Sequence, residues 1–196
     1  MRWQSLMVEL GKPAPEFDLP DAHGHRVRLR DVRGEQGLLA AFICNHCPFV
    51  QHIIGGLVAF ANDYAPRGIG TVAISSNDIG AHPEDDPHHM AQFAVRHGFR
   101  FPYLYDASQS VAKAFGAACT PDLFLYDAQG RLFYRGQFDG SRPQTAHTQA
   151  IQVALTGEDL RNAADRLLAG KAAPQTQLPS MGCSMKWKPG NEPDWG

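Results

Sequence analysis

The strongest constraint in the sequence is a run of seven apolar residues, Leu38 to Cys44, that leads directly into Asn-His-Cys-Pro. A continuous apolar run bounded by Gly37 and by this polar segment is typical of a central parallel strand covered on both faces. Pro48 suits the first turn of a helix, because its φ is fixed and it lacks an N–H. Apolar residues then follow at helical spacing, at Val50, Ile53, Ile54, Leu57, Val58 and Ala61. The sequence therefore predicts a buried strand that passes into a helix.

Strand and helix signals alternate along the rest of the chain. The segment from Pro13 to Leu29 alternates apolar and polar residues around a turn and predicts a hairpin. The other predicted elements are a strand over 68–78, a helix over 87–98, a short helix over 108–115 with Ser108 as N-cap, a hairpin turning at 128–130, and a helix from Thr156 to Leu168 that stops at Gly170. This order predicts an α/β fold with a mainly parallel sheet and closing antiparallel strands.

The composition is that of an ordinary globular protein. The 196 residues are 43% apolar and 19% charged, with a formal net charge of −2. No basic excess exists to release phosphate counterions, so we expect no nucleic-acid partner. The longest apolar run is far shorter than the ~20 residues of a membrane-spanning helix. The N-terminus lacks the pattern of a signal peptide, which predicts a cytoplasmic protein. We assign one domain to residues 8–170 and a C-terminal arm, rich in Pro, to 171–196.

Two cysteines, Cys44 and Cys47, stand three residues apart where the strand gives way to the helix. The N–H groups and dipole of a helix N-terminus lower a thiol pKa, and the thiolate is the reactive species. One cysteine of such a pair can attack a substrate disulfide while the other resolves the mixed disulfide. Half of a zinc site is the alternative, but Cys119 and Cys183 stand alone. We therefore predict a redox pair, with no metal and no organic cofactor.

Histidines and acids surround this pair in the sequence. His46, directly before the second cysteine, either stabilises the Cys44 thiolate with positive charge or is an exposed residue with little effect. A second group has no metal-ligand spacing that we can justify, and we predict that it forms a solvated loop. That group consists of His82, Glu84, Asp85, Asp86, His88 and His89.

A second point of interest is Cys119-Thr120-Pro121. A proline directly before a strand cannot donate a ladder hydrogen bond there, and either a cis turn or an ordinary trans bond would fit, with trans the commoner. Cys119 is expected to be a buried, inert thiol, with a redox or metal-ligand role as the alternative. Cys183, in the arm, either resolves a sulfenic acid or is structural.

Several blocks of the sequence resemble the redoxin group, which includes peroxiredoxins and thioredoxin-like thiol oxidoreductases. The opening PAPEFDLPDAHGHRVRLRDVRG is similar to that of the group. Further blocks resemble a peroxiredoxin-like subfamily of thioredoxin fold, in the expected order. They are AFICNHCPFV, AISSND, FPYLYDASQSVAKAFGAACTPDLFLYD, YRGQFDGSRP and the ending GCSMKWKPGNEPDW. The resemblance implies a thioredoxin fold: a central mixed sheet flanked by helices, with an N-terminal hairpin and a C-terminal arm.

The resemblance also implies roles for individual residues. Thr120-Pro121 would be a cis-proline step packed against the pair, holding a substrate chain by a backbone contact. In thioredoxin-like enzymes the cysteine matching Cys44 attacks and the one matching Cys47 resolves. In peroxiredoxins the cysteine matching Cys47 attacks peroxide, a Thr stands in place of Cys44, and an Arg completes the site. Arg135 could be that Arg, although we favour a surface position for it.

These observations predict a thiol–disulfide oxidoreductase that uses Cys44 and Cys47, with Thr120, Pro121 and His46 contacting the substrate. Its partners would be a protein or small-molecule disulfide and a thiol electron donor. The alternatives are a thiol peroxidase, with Cys47 reactive and Cys44 or Cys183 resolving, and a metal-binding or metal-delivery protein that uses the same pair.

Overall fold

The computed structural model describes residues 2–145, 149–151 and 153–195. Its strands are β1 (Arg2–Gln4), β2 (Asp18–Pro20), β3 (Arg26–Arg28), β4 (Gly37–Phe42), β5 (Ile69–Ser75), β6 (Tyr103–Tyr105), β7 (Cys119–Thr120), β8 (Asp122–Asp127), β9 (Leu132–Gly136) and β10 (Met181–Ser184). Its helices are α1 (Leu29–Val32), α2 (Pro48–Tyr64), α3 (Pro87–His97), α4 (Ser110–Phe115) and α5 (Glu158–Leu168). No helix in these described ranges is long and apolar enough to cross a membrane.

The core is a mixed sheet of five strands in the order β6-β5-β4-β8-β9. Strand β4 lies at its centre, parallel to β5 and antiparallel to β8, and all six of its residues are buried. Because successive side chains of a strand point to opposite faces, β4 supplies both hydrophobic clusters, one on each side of the sheet. The predicted buried strand and the mixed α/β architecture are therefore confirmed, and β2 and β3 form the predicted N-terminal hairpin.

Two predicted helix starts were wrong, and long-range hydrogen bonds fix the residue just before each observed start. Helix α4 begins at Ser110, since Gln109, at φ 62°, anchors its side-chain amide on the carbonyl oxygens of Ser76 and Lys186. Helix α5 begins after Gly157, which has φ 68°. The N–H groups of Thr156 and Gly157 donate to the Asp139 carboxylate, so the Thr156 side chain is not the cap.

The C-terminal arm packs across the domain. Strand β10 lies between β1 and β7 in a second sheet, with both pairings antiparallel. Its approach to β7 is close, because a Cβ on Gly182 would stand 2.0 Å from the carbonyl oxygen of Thr120. Glycine is the residue that permits such a backbone contact. Further along the arm, the rings of Trp187 and Trp195 pack edge to face.

Candidate redox site

The site begins where strand β4 meets helix α2. Cys47 is the N-cap of α2, with an extended backbone, and its carbonyl oxygen accepts the N–H of Gln51. Pro48 takes the first helical position, as the sequence predicts. Cys44 lies three residues earlier in the chain. Both side chains are buried, with 1% of Cys44 and 0% of Cys47 exposed. The pair thus lies at a helix N-terminus but inside the protein.

The Thr120-Pro121 peptide bond faces the two sulfurs and is cis, which confirms the expectation from the family resemblance. The Sγ of Cys47 lies 3.1 Å from the carbonyl oxygen of Thr120, to which a protonated thiol donates. The Sγ of Cys44 lies 3.4 Å from the Thr120 hydroxyl. The structure therefore brings together the four residues that the sequence analysis placed at the centre of the site.

The arm adds a third sulfur. In the pairing of β10 with β7, Cys183 stands opposite Thr120. Its thiol lies within hydrogen-bond reach of Cys47, and its side chain is partly exposed. The strand β10 also occupies the backbone edge of β7 that we expected to hold a substrate chain. In this structure the arm, not a separate substrate, covers Thr120.

The pKa values of Cys44 and Cys47 are shifted in opposite directions. Burial raises the pKa of Cys47, but hydrogen bonds from the Cys183 and Cys44 thiols, the Thr120 side chain and the Val50 N–H lower it well below the usual value. The hydrogen bond to Cys47, burial and the charge of Asp85 raise the pKa of Cys44. The negative charge of the reduced site therefore resides on Cys47, whereas the sequence analysis assigned the attacking thiolate to Cys44.

His46 forms an ion pair with a buried acid, Asp85. The Nδ1 of His46 lies 2.7 Å from Asp85, whose hydrogen bond raises the pKa of the imidazole. Asp85 also accepts hydrogen bonds from the Asn45 backbone N–H and the Asn77 amide. Burial raises the pKa of Asp85, but these donors lower it overall. His46 is thus neither a free surface residue nor a direct partner of Cys44.

Asp85 is the functional residue that sequence reasoning missed. We predicted a solvated loop for its neighbourhood, but Asp85 is fully buried and holds the segment between the two cysteines. Its neighbours in sequence, Glu84 and Asp86, keep more exposed side chains. A run of three acids contains no local signal for the one that turns inward.

Two groups beside the pair could hold a metal ion, namely Cys44 with His46 and Asp85, and His46 with His82 and Glu84. In each group the candidate ligand atoms lie within 4.8 Å of one another. The rings of His46 and His82 are stacked at 11°, so their in-plane lone pairs lie in nearly parallel planes. The metal-binding alternative stays a prediction, which elemental analysis of freshly purified protein tests.

Arg135 is not the surface residue that we predicted. Its side chain is 0% exposed, and its Nη2 donates to Asp122 at 3.0 Å and to the carbonyl oxygen of Gly116 at 2.7 Å. Its guanidinium also lies over the Phe124 ring. These contacts hold the Arg135 side chain in a buried ion pair with Asp122. The pairing of β8 with β9 explains the error, because it places both charges in one covered layer.

Cys119 is buried, as expected. Its sulfur faces the carbonyl oxygens of Pro121 and Ser180, and the Ser5 side chain is a further hydrogen-bond partner. Burial and the negative charge of Asp122 raise its pKa well above the usual value. This thiol is therefore protonated and shielded, which fits the inert role.

The fold and the site together define a thiol-based redox protein of thioredoxin fold. Residues 10–135 match the model of the AhpC/TSA family, and the chain belongs to that family. It is 28% identical over 129 residues to the thiol-disulfide oxidoreductase ResA of Geobacillus thermodenitrificans, covering 66% of this chain and 70% of that one. It is 29% identical over 120 residues to the putative peroxiredoxin Rv2521 of Mycobacterium tuberculosis, covering 61% and 71%.

Solved structures extend the likeness to the whole chain. An uncharacterized conserved protein from Geobacillus kaustophilus is 48% identical, with a TM-score of 0.90 over 96% of this chain and 97% of that one. A putative thiol:disulfide interchange protein DsbE from Chlorobium tepidum is 18% identical, with a TM-score of 0.62 over 83% and 99%. At that identity the second likeness concerns the fold, and it supports the thioredoxin architecture.

Proposed function

We propose that this protein is a thiol–disulfide oxidoreductase that cycles a disulfide between Cys44 and Cys47. The observation that carries the proposal is the position of Cys47 at the first turn of α2, in hydrogen-bond contact with the Cys44 thiol and facing the cis-proline step. Its redox partners would be thiols and disulfides, as the name of its ResA relative suggests. We also propose a cytoplasmic location, where a thiol protein would donate the electrons.

The chemistry requires one thiolate and one protonated thiol in contact. In the reduced state Cys47 holds the negative charge and Cys44 retains its proton. Oxidation forms a sulfur–sulfur bond between them and transfers two electrons to a substrate disulfide. His46 and Asp85 form a salt bridge that positions the backbone between the two cysteines, because the Asn45 N–H donates to the same carboxylate.

Mass spectrometry tests the proposal. The reduced protein is incubated with oxidised glutathione, the free thiols are alkylated, and the digested peptides are mapped. We expect a Cys44–Cys47 disulfide in the wild type and in a Cys119→Ser control, since Cys119 is buried and forms no part of the pair. If Cys44 and Cys47 are both alkylated after this treatment, the proposal is wrong.

A thiol peroxidase is the second candidate, because the lowered pKa belongs to Cys47, the residue that matches the peroxide-reactive cysteine. Two features favour it less. Cys44 stands where a peroxiredoxin has Thr, and Arg135 is held by Asp122. Stopped-flow measurement of peroxide consumption separates the two candidates. A rate like that of a free small thiol would reject the peroxidase, whereas a much faster rate that is lost in Cys47→Ser would support it.

A further inference from the structure

The sulfurs of the redox pair are not accessible to a protein substrate. Cys44 is 1% exposed and Cys47 is 0% exposed, so a protein disulfide cannot reach either sulfur in this conformation. Thiol–disulfide exchange needs direct contact between the attacking sulfur and the attacked one. Cys183 is the cysteine whose side chain is partly exposed, and its thiol lies within hydrogen-bond reach of Cys47.

The arm holds Cys183 where a substrate chain would be expected. Strand β10 pairs antiparallel with β7, and its register sets Cys183 opposite Thr120, the residue before the cis proline. Gly182 permits this approach, because any side chain there would strike the Thr120 carbonyl. Met181 and Cys183, two residues apart on one strand face, both pack against the cluster that contains Cys44 and Cys47. The arm thus presents a cysteine to the pair in the way that a bound substrate would.

We propose that Cys183 is the exchange thiol of this protein, the residue through which external disulfides reach the buried Cys44–Cys47 pair. The inference rests on the proposed function and adds a third catalytic cysteine to it. The exchange runs from solvent to Cys183, then to Cys47, and then to Cys44, each step between sulfurs that the fold holds next to one another.

The steps balance in atoms, protons and electrons. The Cys183 proton passes to Cys47, and the Cys183 thiolate attacks an external disulfide, which forms a mixed disulfide and expels one external thiolate. That thiolate leaves with the Cys47 proton. The Cys47 thiolate then attacks the Cys183 sulfur, and the second external thiolate leaves with the proton of Cys44. Finally the Cys44 thiolate attacks the Cys47 sulfur and expels the Cys183 thiolate. The pair loses two electrons, and the external disulfide becomes two thiols.

The groups around Cys183 allow the proton to move between Cys183 and Cys47. The hydrogen bond to Cys47 and partial burial raise the pKa of Cys183, whereas the charge of Lys186 lowers it. While Cys47 is ionised, Cys183 therefore retains its proton. Once that proton has moved to Cys47, the raising influence is removed and Lys186 favours the Cys183 thiolate.

The test uses the full-length reduced protein and one equivalent of dithiobisnitrobenzoate, which releases a coloured thiolate at each exchange. The wild type should release two coloured thiolates per molecule of reagent and form the Cys44–Cys47 disulfide. In Cys183→Ser the first release should slow by about tenfold or more, because the reagent must reach a buried sulfur. Cys119→Ser, the matched control, should react like the wild type. Circular dichroism establishes that each variant is folded.

A second measurement identifies the first cysteine to react in the wild-type protein itself. Quenching the wild-type reaction within milliseconds and mapping the adduct should find the reagent first on Cys183, and Cys44→Ser should accumulate a Cys47–Cys183 disulfide. A first adduct on Cys44 or Cys47, or unchanged kinetics in Cys183→Ser, would overturn the inference and leave the proposed function standing. A wild type that forms no Cys44–Cys47 disulfide would overturn both.

Discussion

Cys47 and Cys119 lie on the two sides of Thr120 and are equally buried, yet their surroundings differ in kind. Cys47 contacts the Thr120 carbonyl oxygen at 3.1 Å, but it is also contacted by four hydrogen-bond donors: two thiols, a hydroxyl and the Val50 N–H at the start of α2. Cys119 faces two carbonyl oxygens and the negative charge of Asp122, with the Ser5 side chain as a single opposing hydrogen-bond partner. Burial alone raises a thiol pKa, so the donors decide which of the two sulfurs ionises. For these two equally buried thiols, ionisation therefore follows the polarity of the neighbouring groups.

The largest expected effect comes from exchanging each sulfur for oxygen. Cys47→Ser should lower the rate of disulfide exchange by about a thousandfold or more, because the charged sulfur and half of the redox pair are lost. Cys119→Ser should leave the rate close to that of the wild type, because its sulfur is buried and its pKa is raised well above the usual value. Reduction of a small aromatic disulfide by both variants, followed optically, checks the contrast. Equal losses in the two variants would break the comparison.

A second effect concerns stability on the Cys119 side. Arg135→Met leaves the Asp122 carboxylate buried without its partner, which should lower the free energy of unfolding by about 3–5 kcal/mol. Adding Asp122→Asn should recover part of that loss, since the uncompensated charge is removed. Urea denaturation of the two variants and the wild type measures both values. If Arg135→Met is as stable as the wild type, the ion pair does not hold the strands β8 and β9 together.

A smaller effect is expected on the Cys47 side, and it depends on pH. The Asp85 hydrogen bond raises the pKa of His46, so the stabilisation from this pair is complete below about pH 6.5 and is lost as the pH rises through the raised value. At the acid end it is lost as Asp85 is protonated, below about pH 3.8. His46→Gln should therefore cost about 1 kcal/mol in mildly acidic solution and less in alkaline solution.

The control for that prediction is His88→Gln, an exposed position whose side chain contacts Gln92. Its stability should follow the wild-type curve across the same pH range. A difference between wild type and His46→Gln that does not change with pH would show that the Asp85 contact is not an ion pair.

The smallest expected effect is that of the Asp85 charge on the pKa of Cys44. Asp85→Asn removes a negative charge that raises the pKa of Cys44, so Cys44 should be alkylated at slightly lower pH. The shift is small because His46 loses its positive charge together with its partner. Mapping the alkylated cysteines across pH measures it. A shift of Cys44 to higher pH would contradict the sign of this interaction.

Much of the fold could be predicted from local pattern. The run before Cys44 predicts a central strand, Pro48 predicts the helix that follows, and the spacing of the two cysteines predicts their position at its start. These features depend on neighbours in sequence. The cis bond at Pro121 could be expected only from the family resemblance, because base rates for proline favour trans.

The rest of the site depends on contacts between distant segments. Asp85 accepts hydrogen bonds from Asn45, in the loop after β4, and from Asn77, in its own loop, and Cys183 reaches Cys47 only because β10 inserts beside β7. For Arg135 a signal did exist. A single Arg within the apolar strand Leu132–Gly136, opposite a strand that begins with Asp122, indicates a buried pair more than a surface position.

A thiolate titration shows which cysteine holds the charge of the reduced site, which we assign to Cys47. The ultraviolet absorbance of thiolates is followed against pH in the reduced wild type, in Cys47→Ser and in Cys119→Ser. The account predicts that one thiolate of the wild type persists far below the ordinary cysteine value of about 8.5, that Cys47→Ser loses it, and that Cys119→Ser keeps it. A wild type whose thiols all titrate at or above that value would contradict the account.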